Sequence, residues 1–302
     1  MWTLAKFYCA GMLRKRADGT PYCEHSSDVR WGSFCPACGR PYNIITRKPP
    51  GENDRMSLAS LAMAKPPVRM STGSREFDYV LGGGIVPGAT IVLTGPPGSG
   101  KSTVLIQTAD AIARAHPSKC VLYTSGEQNS ADVGLIAARL KLESTNIDVL
   151  GNEGDAYKIT AAAERRKPVL LIVDSVQTAF ISDTGGDCGS SEQIKAVTNW
   201  LTSFGKVEKV AVILVSHVTK DNSLAGPRAF EHLVDGICYL DPYEILDEKT
   251  GEPDPECKAL REFSIGKNRY GPPGLTAVVE MTELGLHPPS KNLSQRIILS
   301  AG

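Results

Sequence analysis

Gly95-Pro96-Pro97-Gly98-Ser99-Gly100-Lys101-Ser102 decides how the rest of this 302-residue chain is read. The octapeptide fits G-x-x-x-x-G-K-[ST], and its surroundings are those the pattern requires. Ala89 to Thr94, just before it, is an apolar run of strand length. Lys101 to Ala115, just after it, carries Val104, Leu105, Ala109 and Ile112 at helical spacing. The glycines let successive backbone N–H groups turn inward around a phosphate, and the helix start adds partial positive charge. Gly95 through Thr103 is therefore expected to cradle the phosphates of ATP. Lys101 would reach the β- and γ-phosphates, and Ser102 would ligate Mg²⁺.

Outward from this point, strands and helices alternate. Cys120 to Thr124 reads as a strand, and Val133, Ile136, Ala137 and Leu140 mark a helix. Val169 to Val173 and Val210 to Val215 are unbroken apolar runs, which suit central strands of a parallel sheet covered on both faces. Ile194, Val197, Leu201 and Phe204 mark another helix between them. Phe263-Ser264-Ile265 and Ala277 to Met281 look like strands added at one edge. The pattern implies an α/β fold with a mainly parallel central sheet and functional loops at the strand C-termini. Asp174 ends the run 169–173, where a carboxylate can hold Mg²⁺ through water. Glu127, in Thr124-Ser125-Gly126-Glu127, is placed to orient a water in line with the γ-phosphate as general base, with Gly126 relaxing the backbone. His217 follows the strand 210–215. By itself it reads equally as a γ-phosphate sensor or as a satisfied loop histidine.

Composition bounds the remaining possibilities. Hydrophobic residues make up 41% of the chain, enough for a sizeable core. No apolar run approaches the ~18 residues of a membrane span, and Met1 to Phe7 is unlike a signal peptide, so a cytoplasmic protein with no membrane partner is expected. Thirty-three basic residues balance thirty-three acidic ones, yet residues 1–70 hold eleven Lys and Arg against five Asp and Glu. This basic segment is also short of aliphatics and contains four of the eight cysteines. Cys35-Pro36-Ala37-Cys38-Gly39 is a C-x-x-C knuckle, and Cys9 and Cys23 lie upstream. Four thiolates would close a tetrahedral structural zinc site, with His25 as the alternative to Cys23. The expected organisation is a zinc-finger module over 1–43, a linker over 44–69 with a short helix at Ser57 to Lys65, and an ATPase domain over 70–302.

Several stretches together resemble the bacterial RadA family, also called Sms. Trp31-Gly32-Ser33-Phe34-Cys35-Pro36-Ala37-Cys38-Gly39 is similar to the second half of its zinc finger. Glu76-Phe77-Asp78-Tyr79-Val80-Leu81-Gly82-Gly83-Gly84, Ser125-Gly126-Glu127, Val173-Asp174-Ser175-Val176-Gln177-Thr178, His217-Val218-Thr219-Lys220 and Ala225-Gly226-Pro227-Arg228 also match. Most specific is Lys267-Asn268-Arg269-Tyr270-Gly271, close to K-N-R-F-G. The resemblance implies a RecA-like P-loop ATPase core preceded by a small zinc finger. It implies a homo-hexameric, ATP-driven motor on single-stranded and branched DNA, with a recombinase or replisome component as partner. Lys101, Ser102, Asp174 and Glu127 would carry the ATPase roles. The loops after residues 181 and 217 would face DNA, with Lys220 and Arg228 on phosphates.

Lys267 and Arg269, two apart on an expected strand, would share a face and act in trans on ATP held by the neighbouring subunit; the alternative is a surface pair matched by local acids. The chain departs from the family in the spacing of its first two cysteines, in an acidic insertion at Asp241–Cys257, and in stopping at Gly302, before the expected Lon-protease-like domain. Two other functions compete: an ATP-switched DNA-binding module that recruits a recombinase or replicase through its zinc arm, and a KaiC-like regulatory ATPase with no DNA role.

Overall fold

The computed structural model describes residues 7–8, 26–27, 67–182, 184–217, 232–246 and 250–300. The chain divides into two compact units, Met1–Pro67 and Val68–Gly302. In the first, β1 (Phe7–Tyr8) pairs antiparallel with β2 (Ser26–Ser27). Cys9, Cys23, His25, Cys35 and Cys38 lie outside the described residues, as do the expected helix at 57–65 and the cations Lys220 and Arg228.

The second unit is built on one nine-stranded sheet. Its strands are β3 (Thr90–Gly95), β4 (Val121–Ser125), β5 (Ile147–Gly151), β6 (Leu170–Asp174), β7 (Ala211–His217), β8 (Gly236–Pro242), β9 (Leu260–Asn268), β10 (Thr276–Thr282) and β11 (Gly285–His287). Their spatial order is β11-β10-β9-β8-β3-β7-β6-β4-β5. Six strands from β8 to β5 run parallel, and β9, β10 and β11 join antiparallel at one edge. The helices are α1 (Arg75–Val80), α2 (Lys101–Ala115), α3 (Ser130–Arg139), α4 (Ala156–Arg166), α5 (Ser191–Glu208) and α6 (Lys291–Ser300).

Side chains alternate along each central strand, so one apolar run feeds two cores. Ile91, Leu93, Leu170, Ile172, Ile213 and Val215 pack with Val104, Leu105 and Ile112 of α2 and with Phe77 of α1. Val92, Leu171, Val173, Val212 and Leu214 face the other way, onto Ile159 of α4 and Ile194, Val197 and Leu201 of α5. Each such fully buried aliphatic contributes about 1.5–3 kcal/mol. Burial on both faces is why these runs lack polar alternation. Phe77 also stacks on Phe263 of β9, with ring centroids 4.6 Å apart, tying α1 to the antiparallel edge.

The acidic stretch 241–257 starts as the end of β8 and closes with a 3-10 turn at Pro255–Cys257. Arg296 of α6 forks onto Asp254 and Glu256, above a small cluster of Ile245, Cys257, Leu260 and Leu293.

Candidate functional site: a phosphate loop at the sheet's C-terminal edge

The loop between β3 and α2 is shaped by its glycines. Gly98 and Gly100 have φ of 76° and 103°, where a side chain would be strained. Gly95 has a second reason to be glycine: a Cβ there would stand 2.2 Å from the Leu240 carbonyl oxygen of β8. Gly100 caps α2 without a side-chain hydrogen bond. The first N–H groups of a 15-residue helix are thus left for an outside acceptor.

Lys101 is buried and donates to the Gly95 and Pro96 carbonyls at 2.8 and 2.9 Å, so its ammonium curls over the loop. Burial lowers its pKa, while the Asp174, Asp241 and Glu127 carboxylates oppose that shift. Ser99 Oγ, in the same loop, is buried without a hydrogen-bond partner among the described residues. An orphaned donor, a helix start and a buried ammonium converge in one loop, and that donor set fits nucleotide phosphate.

Ser102 Oγ donates to Asp174 Oδ2 at 2.6 Å, bringing the start of α2 to the end of β6. The Tyr123 hydroxyl donates to the same oxygen at 2.6 Å. Burial, and then the Asp174 carboxylate, push the Tyr123 phenol far above its ordinary pKa, so it stays a donor. A hydroxyl and a carboxylate held in contact suit a hard, oxygen-loving cation, and Ser102 and Asp174 are the residues that could hold Mg²⁺. When bound, that ion would neutralise charge between the β- and γ-phosphates. Thr103, in the first turn of α2, lies 3.4 Å from the Arg139 guanidinium.

Glu127 sits in the turn after β4. The Ser125 hydroxyl shapes this turn by accepting from the N–H groups of Glu127 and Gln128. Gly126 does more than loosen the backbone, because a Cβ there would meet Thr178 Oγ1 at 2.5 Å. Ser175 Oγ donates to Glu127 Oε1 at 2.9 Å, and His217 Nε2 lies 3.6 Å from that oxygen with no hydrogen-bond partner among the described residues. His217 is paired in register with Gly95, so it borders the phosphate loop directly. Gln177 donates to Ser216 Oγ and to the His217 carbonyl, at 3.0 and 3.2 Å. Asp241 and Glu262 oppose each other across β8 and β9. Desolvation pushes both carboxyls up; Lys101 counters this at Asp241, and Asp241 adds to it at Glu262.

Lys267 and Arg269 are not part of this cluster. β9 runs antiparallel to β8, so its C-terminal end lies beside Gly236, which in turn pairs with Ile91 near the start of β3. That is the end of the sheet away from the loop. The two cations also do not share a strand: β9 stops at Asn268, and Arg269 stands in the following turn. Arg269 thus lies just past the strand on which both were expected, and its N–H still donates to the Asp235 carbonyl at 2.9 Å. Lys267 Nζ donates to the Val234 carbonyl at 2.8 Å, whereas Arg269 pairs with Asp235 at 3.0 Å.

Tyr123, Ser175, Gln177 and Asp241 join the site without a motif of their own to mark them in the sequence. Ser175 and Gln177 lie within Val173 to Thr178, a stretch similar to the RadA family. Tyr123 sat inside a strand, where a lone tyrosine reads as core. Among the described residues no group of three or more His, Cys, Asp and Glu is arranged to hold a metal, and no helix is long and apolar enough to cross a membrane.

Comparison with known proteins matches the family model for the AAA domain to residues 68–223, more than half of the chain. The chain belongs to the AAA domain family. Within it, the RadA resemblance holds over most of the sequence. The chain is 36% identical over 292 residues to the DNA repair protein RadA of Escherichia coli strain K12, covering 90% of this chain and 59% of that one. It is 33% identical over 299 residues to that of Bacillus subtilis strain 168, covering 93% and 62%. It therefore spans about three-fifths of the length of these relatives. Two solved structures share the fold of this AAA domain. A RadB recombinase matches with TM-score 0.53 at 20% identity, over 73% of this chain and 100% of that one. A KaiC-like protein of Pyrococcus horikoshii matches with TM-score 0.57 at 19% identity, over 74% and 100%. These neighbours bear out the RecA-like α/β core.

Proposed function

We propose that this chain is a RadA-like ATP hydrolase that acts on single-stranded and branched DNA as a motor in recombination, repair or replication. The observation that carries the reading is the meeting of Lys101, Ser102, Asp174 and Glu127, from three strand ends, around one phosphate loop. Water attacks the γ-phosphorus, the bond to the β,γ-bridging oxygen breaks, and ADP leaves with its electrons. Glu127 orients the water and takes its proton. Lys101 meets the negative charge on the phosphates, and His217 senses the γ-phosphate. The similarity to DNA repair proteins supports DNA as the partner. Lys220 and Arg228 contact its phosphates, Lys267 and Arg269 act on the neighbouring subunit's ATP within a hexamer, and Cys9, Cys23, Cys35 and Cys38 hold one structural zinc.

The test measures ATP hydrolysis with and without single-stranded DNA, and strand exchange on a branched substrate in parallel. DNA-stimulated hydrolysis with movement of the branch point supports the motor. Stimulation without movement replaces it with the ATP-switched module that recruits a recombinase or replicase. Hydrolysis indifferent to DNA removes the nucleic-acid role and leaves a KaiC-like regulatory ATPase.

A further inference from the structure

Tyr123 is a large polar residue buried under the site without a part in the reaction above. It lies on β4 at 1% exposure, within the apolar cluster that packs α2 on the sheet. For packing alone phenylalanine would serve better, since a buried phenol is unfavourable unless its hydroxyl finds an acceptor. The acceptor here is Asp174 Oδ2, at 2.6 Å. Ser102 donates to that same oxygen, also at 2.6 Å.

Two donors on one carboxylate oxygen take both of its in-plane lone pairs. The Asp174 carboxylate then cannot rotate without giving up a charge-assisted hydrogen bond. This restraint has something to resist. The Lys101 ammonium is close enough to feel the Asp174 charge, and a freely rotating carboxylate would be drawn toward it. Fixing Oδ2 on the Ser102 side leaves the other oxygen for water around a bound cation.

We infer that Tyr123 is a positioning residue for the nucleotide-bound magnesium: its hydroxyl holds Asp174 in the orientation that receives the ion and so sets how much Mg²⁺ the protein requires. The inference rests on the ATPase reading above and adds to it a residue outside the recognised motifs.

The experiment compares wild type with Tyr123→Phe, which keeps the ring and removes only the hydroxyl. Binding of a fluorescent ATP analogue is measured in EDTA and across a Mg²⁺ titration, together with hydrolysis. Affinity in EDTA should stay within about twofold of wild type, and the Mg²⁺ midpoint should rise about tenfold, as loss of one hydrogen bond to a charged group allows. Turnover should recover at high Mg²⁺. A melting temperature or active fraction that falls while the Mg²⁺ midpoint stays put would mean that the hydroxyl only supports packing, and would overturn the inference.

If the variant fails to fold, 3-fluorotyrosine placed at position 123 of the otherwise native chain serves instead. Its fluorine resonance should shift when Mg²⁺ joins bound nucleotide, and an unshifted resonance counts against the role. Wild-type protein that binds no nucleotide in either condition would sink the ATPase reading itself, a result distinct from an unchanged Mg²⁺ midpoint.

Discussion

The Arg269 guanidinium lies 3.0 Å from the buried Asp235 carboxylate, at the end of the sheet remote from the phosphate loop. β3 separates the two places by its full six residues, about 17 Å of strand. Arg269 therefore cannot serve the loop of its own chain, while Asp235 holds it half-exposed at the surface. An arginine fixed on a buried acid can be presented to a neighbour. This arrangement combines the two sequence readings, local pairing and action in trans.

The trans reading is tested by complementation. Lys101→Ala supplies an intact Arg269 beside a dead loop, and Arg269→Ala supplies the reverse. Each alone should hydrolyse ATP at under about a tenth of the wild-type rate with DNA present, since a finger contributes 10³ or more in related chemistry. Mixed under conditions of subunit exchange, they should regain part of the activity. No recovery despite demonstrated exchange would defeat the assignment.

Lys101→Ala and Glu127→Gln should fail at different steps. Lys101 meets phosphate charge before and during the reaction, so its loss should weaken ATP binding by roughly 10–100-fold and abolish turnover. Glu127 acts on the attacking water, so its amide should bind ATP normally and turn over about 10²–10⁴-fold more slowly. Equilibrium binding and single-turnover rates separate the two. Wild-type turnover by Glu127→Gln would pass the role of base to another carboxylate.

Glu262 links the site's electrostatics to stability. Desolvation, and then Asp241, raise its pKa in the folded chain. The native state thus holds this proton more tightly than the unfolded state does. Ionising Glu262 costs stability as pH rises above the ordinary carboxylate value of about 4 and up through the raised folded value. Glu262→Gln removes that cost. Its melting temperature should exceed wild type by roughly 1–3 °C at pH 8, with the gap closing toward pH 4. An equal gap at both pH values would point to packing instead.

The zinc proposal is independent of the ATPase core. Protein purified without chelator should contain one zinc per chain by elemental analysis. Cys23→Ser should lose the metal and His25→Ala should retain it; the reverse result would give the ligand role to histidine. Metal loss should leave nucleotide binding unchanged.

Much of this fold was legible because its central strands are extreme. Leu170 to Val173 and Val210 to Val215 are buried, and unbroken short runs of this kind suit parallel strands covered on both faces. β5 was not legible: at the sheet edge it is only half-buried, and Asp148 interrupts its apolar pattern to meet Arg166. α4 buries Ala156, Ile159, Thr160, Ala162 and Ala163, so a single large aliphatic marks its inner face in the sequence. At the site, motif spacing located Lys101, Ser102, Asp174 and Glu127. Tyr123 and Ser175 contact theirs across 51 and 48 residues, through strand order and register. Such pairings exist only once the sheet is assembled. Lys267 lies on β9 as expected, and Arg269 falls just past its end at Asn268, a boundary that side-chain alternation alone does not fix.

β3 has a consequence for what this chain can tolerate. At its start Thr90 is bonded through its N–H to the Asp235 carboxylate that holds Arg269, and at its end it becomes the phosphate loop. All six of its residues are buried, flanked by β7 and β8. A single inserted or deleted residue would turn the strand's remaining side chains to the opposite face. Either the loop or the Asp235 tether would then be misdirected. The number of residues in β3 is thus as constrained as their identity, and homologous chains should vary in its hydrophobic side chains far more freely than in its length.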